Sequence, residues 1–417
     1  IKRAKYASKQ EHRRQSLLQQ QQSSSHPRTS WFSGREEYAA FVTVEDVRDI
    51  RSLRKGNGTS LSANEEGRMT RLRRIGGWIE PFFDLKEMPN ARNDNERERL
   101  FISEGTEAVR MMVQNCEPTP STSSSSMSSG DDGSVPPNPR LLSILAKPAT
   151  FFDSPIRLLG DIERQNFINE SSAIPPFKII IANEDALSEI AGFNIARGAM
   201  ACGVIPSYMQ NNGYTWLKRL LFREPTKLPP AINTTLHQKP IRKLLALDAI
   251  SNAANMGSIL RTAAAFSIDA IILSDDSCDA WYRQSVRVSM GHVISVNMLR
   301  VADWERGRAS IDDGYTHTRN GLAGVLRWLR KQMNVECLAA VVDDINIKTF
   351  PPLVTLEDDQ DFGGRPWCCV LGNEGHGIRD EVIRECDKRV KIGMANGVDS
   401  LSLPIAAGIL MHRLSCI

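Results

Sequence analysis

Beyond Leu244, short apolar runs alternate with stretches of helical periodicity, and this alternation constrains the fold more than any other feature of the chain. Leu244–Asp248, Asp269–Leu273, Glu336–Val342, Pro366–Leu371 and Val390–Met394 read as strands. Met256–Phe266, Asp279–Met290, Asn320–Met333, Ile378–Cys386 and Leu403–Leu414 read as helices, and Val293–Val301 is a further apolar run. Such alternation predicts βαβ units and a parallel sheet covered on both faces. Ligands bind beyond the carboxyl ends of strands in these sheets, so the loops after Asp248, Leu371 and Met394 are expected to converge. In one of them an apolar run from Trp367 breaks into Gly372, Asn373, Glu374, Gly375, His376 and Gly377. Its three glycines permit close approach of backbone to a ligand, although such a loop alone also describes an ordinary turn.

A smaller α/β unit precedes this one. Leu100–Gly105 reads as a strand and turn, and Thr106 caps a helix that runs to Val113. Ser143–Ala146 and Phe177–Ala182 read as strands, Asp185–Ile190 as a helix, and the small and apolar residues of Ile190–Pro206 lead to a last strand. The expected division is a basic, charged extension over residues 1–88, largely disordered or irregular, and an α/β unit over 89–210. A linker over 211–240 and a second α/β unit over 241–417 complete it. Within the extension, Arg68, Arg71, Arg73 and Arg74 stand ahead of the apolar patch Trp78–Phe83, where a short helix or two is plausible. Residues 117–139 are rich in Ser, Pro and Gly and read as a disordered insertion.

With 417 residues, 41% of them hydrophobic, the chain has enough material for two or three cores. No apolar run is long enough for a membrane-spanning helix, and no membrane association is expected. The eight cysteines include no C-x-x-C pair and the seven histidines no pair at helical spacing. Neither a metal site nor a redox dithiol is expected, and a reducing intracellular compartment is the simpler expectation. A net charge of +3 does not by itself indicate nucleic acid. Its distribution is uneven: Lys2, Arg3, Lys5, Lys9, Arg13, Arg14 and Arg28 face a single acid, Glu11, before Trp31. That stretch is compatible with an RNA-binding tail, the remnant of a transit peptide or a solvated end. The chain begins with Ile, so its true start is expected upstream. The compartment is expected to be the cytoplasm, or a mitochondrion or plastid if the basic stretch is a transit remnant.

Three segments of the second unit belong together: Asn252–Thr262, Leu371–Gly377 and Asp399–Ala407. In this order, at the end of an α/β unit, they resemble the signature motifs of the SpoU/TrmH family, the RNA ribose 2′-O-methyltransferases of the SPOUT superfamily. Asn255 and Arg261 match the first motif in spacing, and Arg287–Gly291 is similar to the family's segment after the second strand. Phe101–Gly105, Ala191–Phe193 and Arg197–Ala199 resemble the ends of the small ribosomal-protein-like α/β domain that binds substrate in many members. The likeness covers roughly residues 90–417, apart from the Ser-rich insertion and the stretches 303–319 and 348–365.

The resemblance implies a trefoil-knotted α/β methyltransferase domain, a homodimer, and S-adenosylmethionine held in a bent form by the backbone of the knot. It places Leu371, Gly372, Asn373, Gly375, Ile392, Met394 and Leu401 around the cofactor, and Asn255, Arg261, Glu374, Ser400 and Ser402 at the catalytic centre. The implied substrate is RNA, with ribosomal RNA favoured over transfer RNA because of the small domain. Arg261 and Arg197 are the expected RNA contacts.

A methyl group on a sulfonium is already activated, so an enzyme needs to align the acceptor oxygen, remove its proton and stabilise the developing negative charge. Arg261 suits the last task better than proton abstraction, because a guanidinium gives up its proton so reluctantly. Asn255 also has a plain reading as a helix cap, Glu374 as a turn carboxylate and Arg261 as a solvated charge. His376 titrates in a range suited to a base, yet a loop histidine is more often simply solvated. The general base is unassigned. Two departures from the family stand in the third motif. Ser402 replaces an asparagine, with one donor where an amide has two, and Pro404 replaces a small polar residue. Pro404 is tolerable in the first turn of a helix. These departures motivate an alternative, an RNA-binding or ribosome-assembly factor that keeps the fold with little or no turnover; a transfer RNA methyltransferase is another.

Overall fold

The computed structural model describes residues 29–33, 35–54, 63–83, 85, 100–115, 140–153, 158–164, 177–193, 198–205, 217–218, 220–221, 242–302, 321–342, 350–355, 365–396 and 398–415. The expected insertion over 117–139, the basic tail before Thr29 and most of the expected linker lie outside them.

The first unit is a five-stranded mixed sheet in the order β1-β4-β3-β5-β2. In chain order it runs β1 (Ala39–Val42), α1 (Val44–Arg54), α2 (Ala63–Ile79), β2 (Leu100–Glu104), α3 (Thr106–Asn115) and β3 (Arg140–Ala146). It closes with α4 (Leu158–Arg164), β4 (Lys178–Ala182), α5 (Glu184–Ala191) and β5 (Ala199–Val204). Helix α5 shows how local sequence sets a boundary. Asn183 Oδ1 accepts from the Ala186 amide at its start, and Gly192 ends it at φ +77°.

This corrects the expectation that residues 1–88 are largely disordered or irregular. Over 39–54 and 63–83 the extension belongs to the small unit: β1 pairs in parallel with β4, and Val47, Ile50, Leu72, Ile75 and Ile79 bury against one face of the sheet. A strand of four residues gives almost no periodic signal, and the apolar stripes of α1 and α2 are diluted by arginines and acids.

The second unit is a seven-stranded sheet in the order β10-β12-β9-β11-β6-β7-β8, and every pairing in it is parallel. It runs β6 (Lys243–Leu247), α6 (Ala253–Ala265), β7 (Ala270–Leu273), α7 (Arg283–Val288), β8 (Met298–Arg300) and α8 (Gly321–Met333). Then come β9 (Glu336–Ala340), β10 (Leu353–Thr355), β11 (Trp367–Leu371), α9 (Asp380–Ile383), β12 (Lys388–Lys391) and α10 (Leu403–Ser415). The expected helices at Asp279–Met290 and Ile378–Cys386 are thus shorter than their apolar patterns suggested. Val293–Val301 divides into a 3-10 turn over His292–Ser295 and the strand β8.

Central strands are apolar on both faces because both faces are covered. Leu245, Leu247, Ile271, Cys369 and Leu371 pack with Ile259, Leu260 and Ala263 of α6 and Leu410 and Met411 of α10. Leu244, Ala246, Ile272, Cys368 and Val370 face the other way, onto Leu322, Leu326 and Trp328 of α8.

The two units share the first of these cores. Phe101 of β2 meets Trp281 with ring centroids 4.7 Å apart, and Glu104 reaches Arg287 of α7 at 3.9 Å. Gly291, at φ +84°, brings the backbone so near to Ala108 of α3 that a Cβ there would lie 3.0 Å from it. The Arg287–Gly291 segment is therefore a docking surface for the small unit.

Candidate functional site

Strand β6 has β7 on one side and β11 on the other, so the chain leaves their carboxyl ends in opposite directions and a crevice opens between the following loops. Leu247 of β6 and Leu371 of β11 are in register. Asp248–Asn252 therefore faces Gly372–Gly377, as expected for loops at paired strand ends.

The glycine-rich loop is a closed structure. Asn373 and Gly377 exchange two backbone hydrogen bonds of 2.9 Å, which folds the loop back on itself. Gly372 is required by this closure: a Cβ on it would sit 2.2 Å from the Gly377 carbonyl carbon. Asn373 Oδ1 accepts from the amides of Gly375 at 2.9 Å and His376 at 3.1 Å, while its Nδ2 donates to the Ala249 carbonyl at 2.7 Å. The Asn373 side chain is thus committed to shaping the loop and tying it to β6. The His376 ring is exposed, with Nδ1 3.2 Å from the same Asn373 oxygen.

Ala249 has φ +57°, a left-handed conformation that costs a residue with a Cβ about 1 kcal/mol. It is held there from three sides. Its amide donates to Ser274 Oγ at 2.8 Å, its carbonyl accepts from Asn373, and the next amide, of Ile250, donates to Ser277 Oγ at 3.1 Å. The neighbouring Asp248 carboxylate is fully buried and pairs with the Arg379 guanidinium, also accepting the Arg379 amide at 2.9 Å.

Glu374 joins the two loops. Its Oε1 accepts from the Asn252 amide at 3.1 Å and from Asn255 Nδ2 at 3.0 Å; its Oε2 accepts from the Ser251 amide at 3.1 Å and Ser251 Oγ at 2.9 Å. Burial by itself raises the Glu374 pKa, but the hydrogen bonds from Asn255 and Ser251 outweigh it and hold the group below its ordinary value. A carboxylate with both oxygens engaged by donors is an anchor rather than a proton acceptor.

Helix α6 is capped by Asn252, whose Oδ1 accepts from the amides of Ala254 at 2.8 Å and Asn255 at 3.2 Å. The cap reading of Asn255 is therefore corrected: capping falls to the residue three positions earlier, and Asn255 is free to use its side chain on Glu374. Because Glu374 only accepts, the Asn255 amide is oriented with nitrogen toward it and oxygen outward. Arg261, further along α6, is exposed and makes no hydrogen bond or ion pair among the described residues. His292 lies within its electrostatic reach; burial and the Arg261 charge both lower the His292 pKa.

The third segment leads into α10, which lies beside α6 on the same face of the sheet. Helix α10 packs along α6, with the added-Cβ position of Gly408 3.8 Å from Thr262 Cγ2. It starts at Leu403, which puts Pro404 in its first turn, and the Ser402 carbonyl accepts the amides of Ile405 and Ala406 at 3.0 Å. Ser400 and Ser402 are exposed, and neither side chain hydrogen-bonds Asn255 or Glu374. Leu371 and Gly372 are buried at the base of the crevice. Gly375 is exposed at its rim, and Ile392, Met394 and Leu401 are half-buried beyond β12. Arg197 lies outside the described residues.

Sequence reading missed Ser251, Asn252 and His292. Ser251 sits directly ahead of the first motif and Asn252 opens it, where an Asn before a helical run is itself a cap signal; His292 follows the Arg287–Gly291 segment without a signal of its own.

Residues 242–412 match the family model described as the SpoU rRNA Methylase family. The chain is 24% identical over 262 residues to an uncharacterized tRNA/rRNA methyltransferase of Mycobacterium tuberculosis, covering 62% of this chain and 74% of that one. It is 27% identical over 183 residues to the 23S rRNA (guanosine-2′-O-)-methyltransferase RlmB of Pasteurella multocida, covering 44% and 63%. Among solved structures it resembles the AdoMet-bound rRNA methyltransferase from Sinorhizobium meliloti, at 16% identity and a TM-score of 0.46 over 90% of this chain and 97% of that one. The unit built on the seven-stranded sheet, residues 242–412, is thus a SpoU methylase domain.

Proposed function

We propose that this chain transfers a methyl group from S-adenosylmethionine to a ribose 2′-hydroxyl of RNA, with ribosomal RNA as the substrate class. The observation that carries this reading is the Asn255–Glu374 hydrogen bond across the strand crevice, with an Arg261 guanidinium on the same helix that has no partner among the described residues. S-adenosylmethionine is the cofactor of the SpoU methylases, and it supplies an activated methyl group. The residues present fit it. Leu371 and Gly372 close the base of the crevice and Gly375 leaves open backbone at its rim; the half-buried Ile392, Met394 and Leu401 are the apolar residues that the family resemblance adds around an adenosine.

In this reading Glu374 fixes Asn255, and the outward Asn255 oxygen accepts from the acceptor hydroxyl and orients it. Arg261 holds the adjacent phosphate and stabilises the oxygen as its charge develops. The general base stays unassigned; His376 is exposed and its ring nitrogen lies against Asn373. The trefoil knot implied for the family belongs to this proposal, with β11 and its closed loop enclosed between β6 and β9. So does the homodimer, for which Ile405 and Ile409 offer an apolar stripe, 56% and 36% exposed on one face of α10.

Transfer of a labelled methyl group from S-adenosylmethionine to purified ribosomal and transfer RNA, with nuclease mapping of the methylated nucleotide, tests the reading. A 2′-O-methyl ribose in ribosomal RNA is expected. Methylation on a base, or on transfer RNA alone, would overturn the acceptor or the substrate class respectively. One observation favours a second reading, an RNA-binding assembly factor with little turnover: Ser400 and Ser402 make no side-chain hydrogen bond to Asn255 or Glu374. Tight cofactor binding by calorimetry with no transfer to any RNA pool would establish it.

A further inference from the structure

Residues 31–83 carry a surface that the methyl-transfer site does not use. Helix α2 aligns Arg68, Arg71, Arg74 and Trp78 at three- and four-residue spacing on one stripe, flanked by Arg73. Arg68 is neutralised by Asp49 at 2.6 Å and lies 3.8 Å from Asp46. Arg71, Arg73 and Arg74 are exposed and make no ion pair among the described residues. The half-buried Trp78 ring takes two cations, Arg74 at 5.5 Å and Lys178 of β4 at 5.4 Å from its centroid. At the sheet edge, Arg71 Nη2 donates to the carbonyl of Phe41 in β1 at 3.1 Å. Phe41 itself is 38% exposed and meets Phe32 edge-on at 6.3 Å.

A row of charges on a helix is ordinarily a solvated face, and Arg71 also blunts the free edge of β1. Two features go beyond that. The charge is of one sign and unneutralised past Arg68 among the described residues, and Arg71 carries it to the edge of β1, where the part-exposed Phe41 ring sits on the sheet face opposite α2, so that a strand crossing the edge meets both. Phosphates matched by arginines beside a stacking ring are the chemistry of a single-stranded nucleic acid. We propose that α2 and the edge of β1 bind a single-stranded segment of the substrate RNA, its phosphates on Arg71, Arg73 and Arg74 and a base on Phe41. The proposal rests on the RNA-methyltransferase reading for the identity of the polyanion.

Fluorescence anisotropy of the full chain with a labelled single-stranded oligoribonucleotide of about twenty nucleotides, titrated at several salt concentrations, tests it. In Arg73→Gln/Arg74→Gln, whose side chains are exposed, affinity should fall about tenfold and the salt slope by about 1.4. Phe41→Ala should weaken binding at least about fivefold and leave the slope unchanged. Melting temperatures near wild type would show that these losses are not unfolding, and Arg73→Glu/Arg74→Glu should bind weaker still. Wild-type affinity and slope in the Arg73/Arg74 variants, or no RNA binding by the wild-type chain, would overturn the proposal. Reduced binding in the variants of a chain that methylates no RNA would sink the enzymatic reading and leave this surface standing.

Discussion

Asn255 and Glu374 are 119 residues apart in sequence and 3.0 Å apart in space, and their hydrogen bond spans the loops after the two central strands β6 and β11. Glu374 takes three further donors from Ser251 and Asn252, so one carboxylate fixes the start of α6. Replacing it by Gln keeps the shape but substitutes a donor for half of the acceptor capacity. Glu374→Gln should lower the methyl-transfer rate at least about tenfold. Single-turnover assays with saturating cofactor would show this, and an unchanged rate would remove Glu374 from the catalytic arrangement.

Arg261 projects from the same helix with no partner among the described residues. A side chain not used by the fold can be removed without structural loss, so Arg261→Ala should abolish transfer with the melting temperature and cofactor affinity nearly intact. Arg261→Lys should recover only part of the rate, because an ammonium lacks the planar fork that grips a phosphate. Calorimetry and the methyl-transfer assay together decide this; wild-type transfer by the alanine variant would refute the role.

The lowered Glu374 pKa makes the site pH-dependent with a definite sign. A carboxyl whose folded pKa lies below its ordinary 4.5 contributes stability above that value, and the contribution is lost as pH falls through the folded pKa. The melting-temperature gap between wild type and Glu374→Gln should therefore be largest near neutrality and shrink in acid. His292 acts in a higher window: its pKa is lowered from 6.5, so the folded state loses stability relative to the unfolded chain as pH drops below that value. His292→Gln should flatten that part of the profile and leave the acid part unchanged.

How far these features were legible differs from one element to the next. Strands β6 and β11 are buried on both faces and read as unbroken apolar runs, so the parallel sheet and its converging loops follow from the sequence directly. Asn255 and Glu374 could be paired only through the motif resemblance, since periodicity carries no information about a contact between distant loops. Ser251 was invisible for the same reason. Asn252 was readable as a cap and was passed over in favour of Asn255. The strands β1 and β10 are edge strands of four and three residues, too short for a periodic signal to emerge from their surroundings. Helix α7 ends earlier than its pattern because Ser289 turns the chain into Gly291, where the small unit packs.

Closure of the glycine-rich loop depends on a position where a side chain does not fit. Gly372→Ala would drive a Cβ to 2.2 Å from the Gly377 backbone, and backbone cannot yield as a flexible side chain can. Opening the Asn373–Gly377 pairing should cost about 1–3 kcal/mol and weaken cofactor binding more than RNA binding. Gly375→Ala is the control, since its nearest neighbour would be the Asn373 side chain at 3.6 Å. Equal cofactor affinity in the two variants would argue against the loop as a cofactor wall.

The carboxylate of Asp248, at the end of β6, is fully buried and depends on Arg379 for its counter-charge. Arg379 bridges onward to Asp276 at 3.3 Å, so this pair also fastens the loop after β7 to the start of α9. Removing the guanidinium alone leaves a charge in the interior, and Arg379→Ala should destabilise the chain by about 3 kcal/mol. Asp248→Asn alone removes the charge and keeps the hydrogen bond from the Arg379 amide, so its loss should be smaller. The double variant Asp248→Asn/Arg379→Ala should then melt above Arg379→Ala, because the second substitution removes the charge that the first one stranded. Differential scanning calorimetry of the four proteins measures this ordering. A double variant that melts at or below Arg379→Ala would show that Arg379 acts through its contacts with Asp276 and Glu381 instead.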